Sequence, residues 1–160
     1  SAASIVSRCV RRLVAPESVP MLVLDTDHLS VLERPASRER AILIRRLELA
    51  VPEIAVTTIV SYEEQSRGWL AYVARARSKS EQLDAYDRLS RHLATYRSMT
   101  VLDFKQDAFE WYEDLKREVS IGTLDLKIAA ITLAHDAMLL SRNLKDFEQV
   151  PGLKVEDWLS

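Results

Sequence analysis

The segment MLVLDTDHLSV, Met21–Val31, sets a run of four apolar residues directly against Asp25 and Asp27. A short apolar run with no alternation suits a strand covered on both faces, the pattern of a parallel sheet. A carboxylate closing such a strand costs desolvation unless something pairs with it. In open parallel sheets, ligands bind beyond the carboxyl ends of the strands, which is where Asp25 would emerge.

Working outward, short β-rich runs alternate with helical patterns. MLVLD precedes LSVLE, EIAVTT precedes a long helix, MTVLD precedes QDAFEWYEDLKREV, AMLLS precedes NLKDF, and LKVEDW can add a last strand. This alternation predicts a parallel sheet with helices on both faces. From Arg67 to Arg97 the chain has no proline and no strand signal, which predicts a helical hairpin breaking near RSKS. No internal repeat or low-complexity tract is present.

The chain has 160 residues, 48% of them hydrophobic, enough for one compact domain with a real core. Its net charge of −2 advertises neither nucleic acid nor membrane. The distribution is uneven, because the Arg67–Arg97 span carries seven Lys or Arg against three Asp or Glu, a net +4 that leaves the remainder at −6. The single cysteine, Cys9, excludes an internal disulfide and a thiolate metal site. His28, His92 and His135 have no ligand spacing. No apolar run reaches the ~20 residues of a membrane span, and arginines interrupt SIVSRCVRRLVA too early for a secretory signal, so a cytoplasmic protein is expected. Residues 1–20, closing in APESVP, read as an N-terminal extension or expression remnant, with the domain proper over 21–160.

Four acids lie where strands end or helices begin. Asp25 closes the first strand; Glu63 and Glu64 follow IAVTTIVSY at the opening of a helix. Asp125 falls in the first turn of a helix with Thr123 as its expected N-cap and an inward face of Ile128, Ile131, Thr132 and His135; Asp146 follows the strand ending at Ser141, with Asn143 between. Taken singly each has a bland explanation: a carboxylate in a first helical turn is worth about 0.3–1 kcal/mol from the helix dipole. Asp146 can be a turn residue, Asp27 an N-cap, His135 a core histidine, the basic hairpin a solvated face, and Tyr62, Trp69 and Tyr72 packing residues. Taken together, converging carboxylates with no interleaved Lys or Arg repel unless a hard cation neutralises them. Oxygen-only ligands fit Mg²⁺ or Mn²⁺ and suit phosphodiester hydrolysis, with the basic hairpin holding the polynucleotide backbone.

LDTDHLS, TTIVSYEEQSRG, LDLKIAAITLA and LLSRNLKDFEQVPGLKVEDW together resemble a PIN domain of the VapC toxin type, over Met21 to Trp158. The resemblance implies a three-layer α/β/α sandwich with a mostly parallel central sheet, the helical hairpin protruding from it. It implies a Mg²⁺- or Mn²⁺-dependent endoribonuclease, usually a homodimer and often inhibited by an antitoxin protein. By position Asp25, Glu63, Asp125 and Asp146 match the catalytic and metal-holding acids, with Ser141 and Asn143 the polar positions beside the last of them. Laying TTIVSYE without a gap selects Glu63; counting back from Gly68 selects Glu64, and Glu63 is preferred. Asp27 stands where the family commonly has asparagine. An RNA substrate that is single-stranded or a loop is expected, since RNA sequence is read on splayed bases.

Two other readings stay open. VLDTD can open a haloacid-dehalogenase-like phosphatase with Asp25 as nucleophile and Asp27 as acid/base, although His28 and Leu29 follow where a glycine is needed. A noncatalytic PIN-like binding module, its acids merely capping helices, is the other.

Overall fold

The computed structural model of the chain describes residues 19–160; the expectations for residues 1–18, including Cys9, lie outside the described residues. Five strands form one sheet: β1 (Met21–Leu24), β2 (Ile54–Thr58), β3 (Val101–Leu102), β4 (Met138–Leu140) and β5 (Lys154–Glu156). Seven helices connect them among the described residues: α1 (Thr26–Glu33), α2 (Arg38–Leu49), α3 (Ile59–Arg75), α4 (Lys79–Ser98), α5 (Gln106–Glu118), α6 (Thr123–Ala134) and α7 (Leu144–Phe147). The strand order is β3-β2-β1-β4-β5, and every neighbouring pair is parallel. The sheet is therefore wholly parallel, where a mostly parallel one was expected.

Period-two alternation divides the core into two layers. Val23, Ile54, Val56 and Leu139 face one cluster with Leu115 of α5 and Ile128 and Ile131 of α6. Leu22, Leu24, Ala55 and Leu140 face the other, with Leu29 and Leu32 of α1, Leu43 and Leu47 of α2, and Tyr96 of α4. Burial on both faces explains why β1 and β4 read as unbroken apolar runs. Among the described residues no helix is long and apolar enough to cross a membrane.

The hairpin is α3 and α4, and it breaks at Ala76–Ser78 as expected from RSKS. Ser78 caps α4 in a reciprocal box with Glu81, satisfying two orphan N–H groups. Much of the hairpin's basic charge is paired along its own helices, in Arg67–Glu63, Arg88–Asp84 and Arg91–Asp87. Its outer surface keeps Leu70, Leu83, Tyr86 and Leu93 exposed. The helix α2, which no strong signal announced, starts at the Ser37 cap, whose side chain accepts from Arg40 N.

Candidate metal centre

With the order β3-β2-β1-β4-β5, the chain winds outward in both directions from β1, so the topological switch lies between β1 and β4. Asp25 and Ser141 directly follow those two strands. Asp25 N donates to Leu140 O at 3.0 Å, continuing the ladder one residue past the strand. Its side chain caps α1, with Oδ1 accepting from Thr26 N at 2.7 Å, while Oδ2 accepts from Ser141 Oγ at 2.8 Å. The expected N-cap, Asp27, does not cap α1, because Asp25 occupies that position.

Asn143 joins this end of the sheet to α6 and α7. Its N–H donates to Ser141 Oγ at 3.1 Å, and its Nδ2 donates to Asp125 Oδ2 at 3.2 Å and to Asp146 Oδ2 at 3.1 Å. The side-chain amide thus links the third and fourth acids, and the backbone N–H reaches the first through Ser141. Asp125 lies in the first turn of α6 as expected, but the cap is Gly122, one residue before Thr123. His135 ends α6 half-buried rather than in the core, its Nδ1 2.9 Å from Ile131 O.

Of the two candidates for the second acid, the structure brings Glu64 beside the other acids, its Oε2 3.3 Å from Thr26 Oγ1 and its charge felt by Asp125. Glu63, the residue preferred from the ungapped reading, is instead engaged by Arg67 at 2.6 Å on the hairpin surface. In helical phase both glutamates stand one turn from the buried Val60, but Glu64 also stands i+3 from the buried Ser61 and reaches Thr26, whereas Glu63 stands i+4 from the exposed Ile59. Thr58 fixes that phase by capping α3, its Oγ1 accepting from Ser61 N at 3.0 Å. Thr26 Oγ1 lies 3.3 Å from both Glu64 Oε2 and Asp25 Oδ1, and its single proton serves one at a time.

The electrostatics follow from this gathering. Burial, with the charge of Asp27 next, pushes the Asp25 carboxyl up to about 6 against the hydrogen bonds from Ser141 and Thr26. Burial and the charges of Glu64 and Asp146 also raise Asp125, opposed by the Asn143 amide. Among the described residues none of Asp25, Glu64, Asp125 and Asp146 pairs with a Lys or Arg. Nor are three acidic, histidine or cysteine side chains drawn close enough to enclose an ion unaided. This donor set fits a small hard cation that keeps several waters and takes only one or two carboxylates directly, not a closed thiolate or imidazole cage.

Asp27 does something the sequence did not announce. Its Oδ1 accepts from His28 N and lies 2.7 Å from His28 Nδ1, and its Oδ2 accepts from Arg142 N at 2.8 Å. His28 is wholly buried, and its Nε2 accepts from Trp158 N at 3.1 Å. Burial works to raise Asp27, but the hydrogen bonds from His28 and Arg142 hold it below the usual carboxylate range.

A family model described as PIN domain matches residues 22–153, most of the chain. The chain belongs to the PIN domain family. A curated relative of this PIN domain, Ribonuclease VapC2 of Rickettsia felis, is 32% identical over 114 residues, 66% of this chain and 74% of the relative. Ribonuclease VapC2 of Haemophilus influenzae is 33% identical over 66 residues, half of its own length. The fold matches the crystal structure of VapBC2 from Rickettsia felis bound to a promoter DNA fragment, with a TM-score of 0.62 and 23% identity over 86% of this chain and 98% of that one. It also matches FitAcB from Neisseria gonorrhoeae, with a TM-score of 0.64 and 20% identity over 86% and 97%.

Proposed function

We infer that this PIN domain is a divalent-metal-dependent endoribonuclease of the VapC type, the toxin of a toxin–antitoxin pair. The observation that carries this reading is the meeting of Asp25, Glu64, Asp125 and Asp146 at the sheet's switch point without a basic partner. One or two of those four would bind Mg²⁺ or Mn²⁺ directly and the others through its waters, oxygen-only donors favouring these over zinc. When bound, such a cation activates water and neutralises the phosphoryl oxygens at the scissile bond.

The chain's own residues prepare the site. Ser141 Oγ and Thr26 N fix the rotamer of Asp25, and the Asn143 amide keeps Asp125 and Asp146 facing the same space. Glu64, open to solvent, adds an acceptor beside Thr26. Arg75, Arg77, Lys79 and Arg97 of the hairpin supply basic groups for an RNA backbone. The phosphatase alternative needs Asp27 as a free acid/base, whereas Asp27 is committed to His28 and Arg142.

A protein partner is part of this reading. Leu70, Leu83, Tyr86 and Leu93 leave apolar surface on the hairpin of the kind that a second copy or an antitoxin covers. The named relatives are VapC ribonucleases, and the matched structures include VapBC complexes. The reading is tested by incubating single-stranded RNA with the protein and Mg²⁺ or Mn²⁺, beside the Asp25→Asn variant. Cleavage that requires both the metal and Asp25 is expected; equal activity of the two proteins overturns it.

A further inference from the structure

The metal-site acids do not account for a second concavity, of about 360 Å³, between the C-terminal end of α1 and the hairpin. Its walls include Ser30, Glu33, Arg34, Trp69, Arg88 and Arg91. It lies on the same face of α1 as Thr26 beside the acid cluster, because Thr26, Ser30 and Glu33 stand at i, i+4 and i+7. Gln65 follows the same face, its Nε2 3.4 Å from Thr26 O and 3.2 Å from Ser30 Oγ. At 1.5 Å per residue the cavity lies about 10 Å from the Asp25 end of the helix, within reach of a nucleotide strand laid across the site.

Two features of this cavity ask for a particular ligand. Glu33 stands in its wall with Oε1 buried and without a hydrogen-bond partner. Burial raises its acid above the ordinary glutamate range, with Thr95 and Arg91 pulling the other way. A buried carboxylate oxygen left without a donor is costly, and the soft outer torsion of the side chain lets it turn toward donors arriving from the cavity. The second feature is flatness: the Arg88 guanidinium lies 5.9 Å from the Trp69 ring centroid and 5.5 Å from that of Tyr72. Asp84 Oδ2 holds Arg88 Nε at 2.9 Å. Planar aromatic and guanidinium surfaces are what unstacked RNA bases lie against.

We propose that this cavity is a nucleobase subsite that takes a splayed guanine from the RNA strand, with Glu33 reading its Watson–Crick edge. The proposal rests on the ribonuclease reading and adds its sequence preference. An ionised carboxylate only accepts hydrogen bonds. Guanine alone offers two donors side by side, N1–H and the 2-amino group. Adenine and cytosine place a ring-nitrogen acceptor beside their amino group, and uracil flanks its single N–H with carbonyls, so each of these turns an acceptor toward Glu33. Arg34, on the exposed end of α1, is placed for the flanking phosphate.

The test has two arms on the full chain. In the first, isothermal titration without metal compares guanosine, inosine, adenosine, cytidine and uridine 5′-monophosphates on the wild type and on the isosteric Glu33→Gln. Guanosine monophosphate is expected to bind roughly tenfold or more tighter than the inosine form, which lacks the 2-amino group, and Glu33→Gln removes that gap. In the second, a randomised single-stranded RNA is cut in Mn²⁺ and the new ends are sequenced. A guanine at a fixed offset from the cut is expected for the wild type, and that bias is lost among the cuts made by Glu33→Gln. Equal binding of the five nucleotides, or an unchanged guanine bias in Glu33→Gln, overturns the proposal. Cleavage without guanine bias sinks the subsite and leaves the ribonuclease standing. Glu33-dependent guanosine monophosphate binding with no RNA cleavage at all sinks the ribonuclease and leaves a guanine nucleotide site.

Discussion

Ser141 Oγ donates to Asp25 Oδ2 at 2.8 Å, joining side chains 116 residues apart at the two strand ends that define the switch point. The bond fixes Asp25 in place without neutralising it. Other acids crowd the same space, so the folded chain carries an electrostatic cost that a cation relieves.

The first prediction follows from the sign of that cost. The folded Asp25 carboxyl titrates at about 6 against an ordinary value of 3.8. Between those values the folded state binds more protons than the unfolded one, so Asp25 favours folding at low pH and that contribution is lost as pH rises through 6. The loss is on the order of 3 kcal/mol, at 1.36 kcal/mol per unit. In metal-free buffer the melting temperature of the wild type is expected to fall, relative to Asp25→Asn, between about pH 4 and 7, and Asp25→Asn is the more stable at pH 7.5. Parallel melting curves across that range contradict this account.

Glu63 and Glu64 separate by function in the second prediction. Glu64→Gln is expected to lower metal-dependent RNA cleavage by about a hundredfold or more, as loss of a charge-stabilising group in a preorganised site does. Glu63→Gln breaks only the exposed contact with Arg67, of a kind worth at most about 0.5 kcal/mol, and leaves cleavage within about twofold. Comparing kcat/KM for the two variants decides it, and the reverse order restores Glu63 to the site.

The legible parts of this molecule were those written in one dimension. Met21–Leu24, Ile54–Thr58 and Met138–Leu140 announce themselves by apolar runs bounded by polar residues, and the RSKS break by its capping serine and glutamate. The choice between Glu63 and Glu64 was not legible, because both follow buried positions of the same helix and only the contact of Glu64 with Thr26, 38 residues away, separates them. Nor were the lateral order of the strands and the role of Asn143, because both depend on which loops meet in space. His28 looked like an isolated histidine, since its partner Trp158 stands 130 residues away. Asp27 looked like a cap because the side chain that caps α1, Asp25, also closes the strand.

A third prediction concerns the Asn143 amide. Its Nδ2 is the donor shared by Asp125 and Asp146, and Asn143→Ala leaves two like charges facing each other unbraced. Outer-shell partners of this kind typically cost 10–100-fold in metal affinity when removed. Mn²⁺ titration followed by melting temperature should show that loss with the metal-free melting temperature little changed, because Asn143 is only half-buried. An unaltered Mn²⁺ affinity removes Asn143 from the site.

The last prediction separates holding the loop from holding the metal. Asp27 and His28 together tie α1 to the Arg142 backbone and to the C-terminal Trp158, with the ring proton on Nδ1 because Nε2 accepts from Trp158 N. His28→Leu takes one of the donors from the partly buried Asp27 carboxylate and leaves the part-buried Trp158 N–H without its acceptor, a loss of about 1–3 kcal/mol for unmade hydrogen bonds. Asp27→Asn keeps one oxygen for Arg142 N but its amide faces the His28 N–H groups, so it loses much of the same stability. If the two residues act as one clamp, the double variant costs less than the sum of the singles, with a coupling of about 1 kcal/mol or more in urea unfolding. Strict additivity would show that each acts alone. Because neither side chain is drawn into the Asn143 network, the surviving folded fraction of Asp27→Asn should still gain melting temperature on adding Mn²⁺, whereas Asp25→Asn should not.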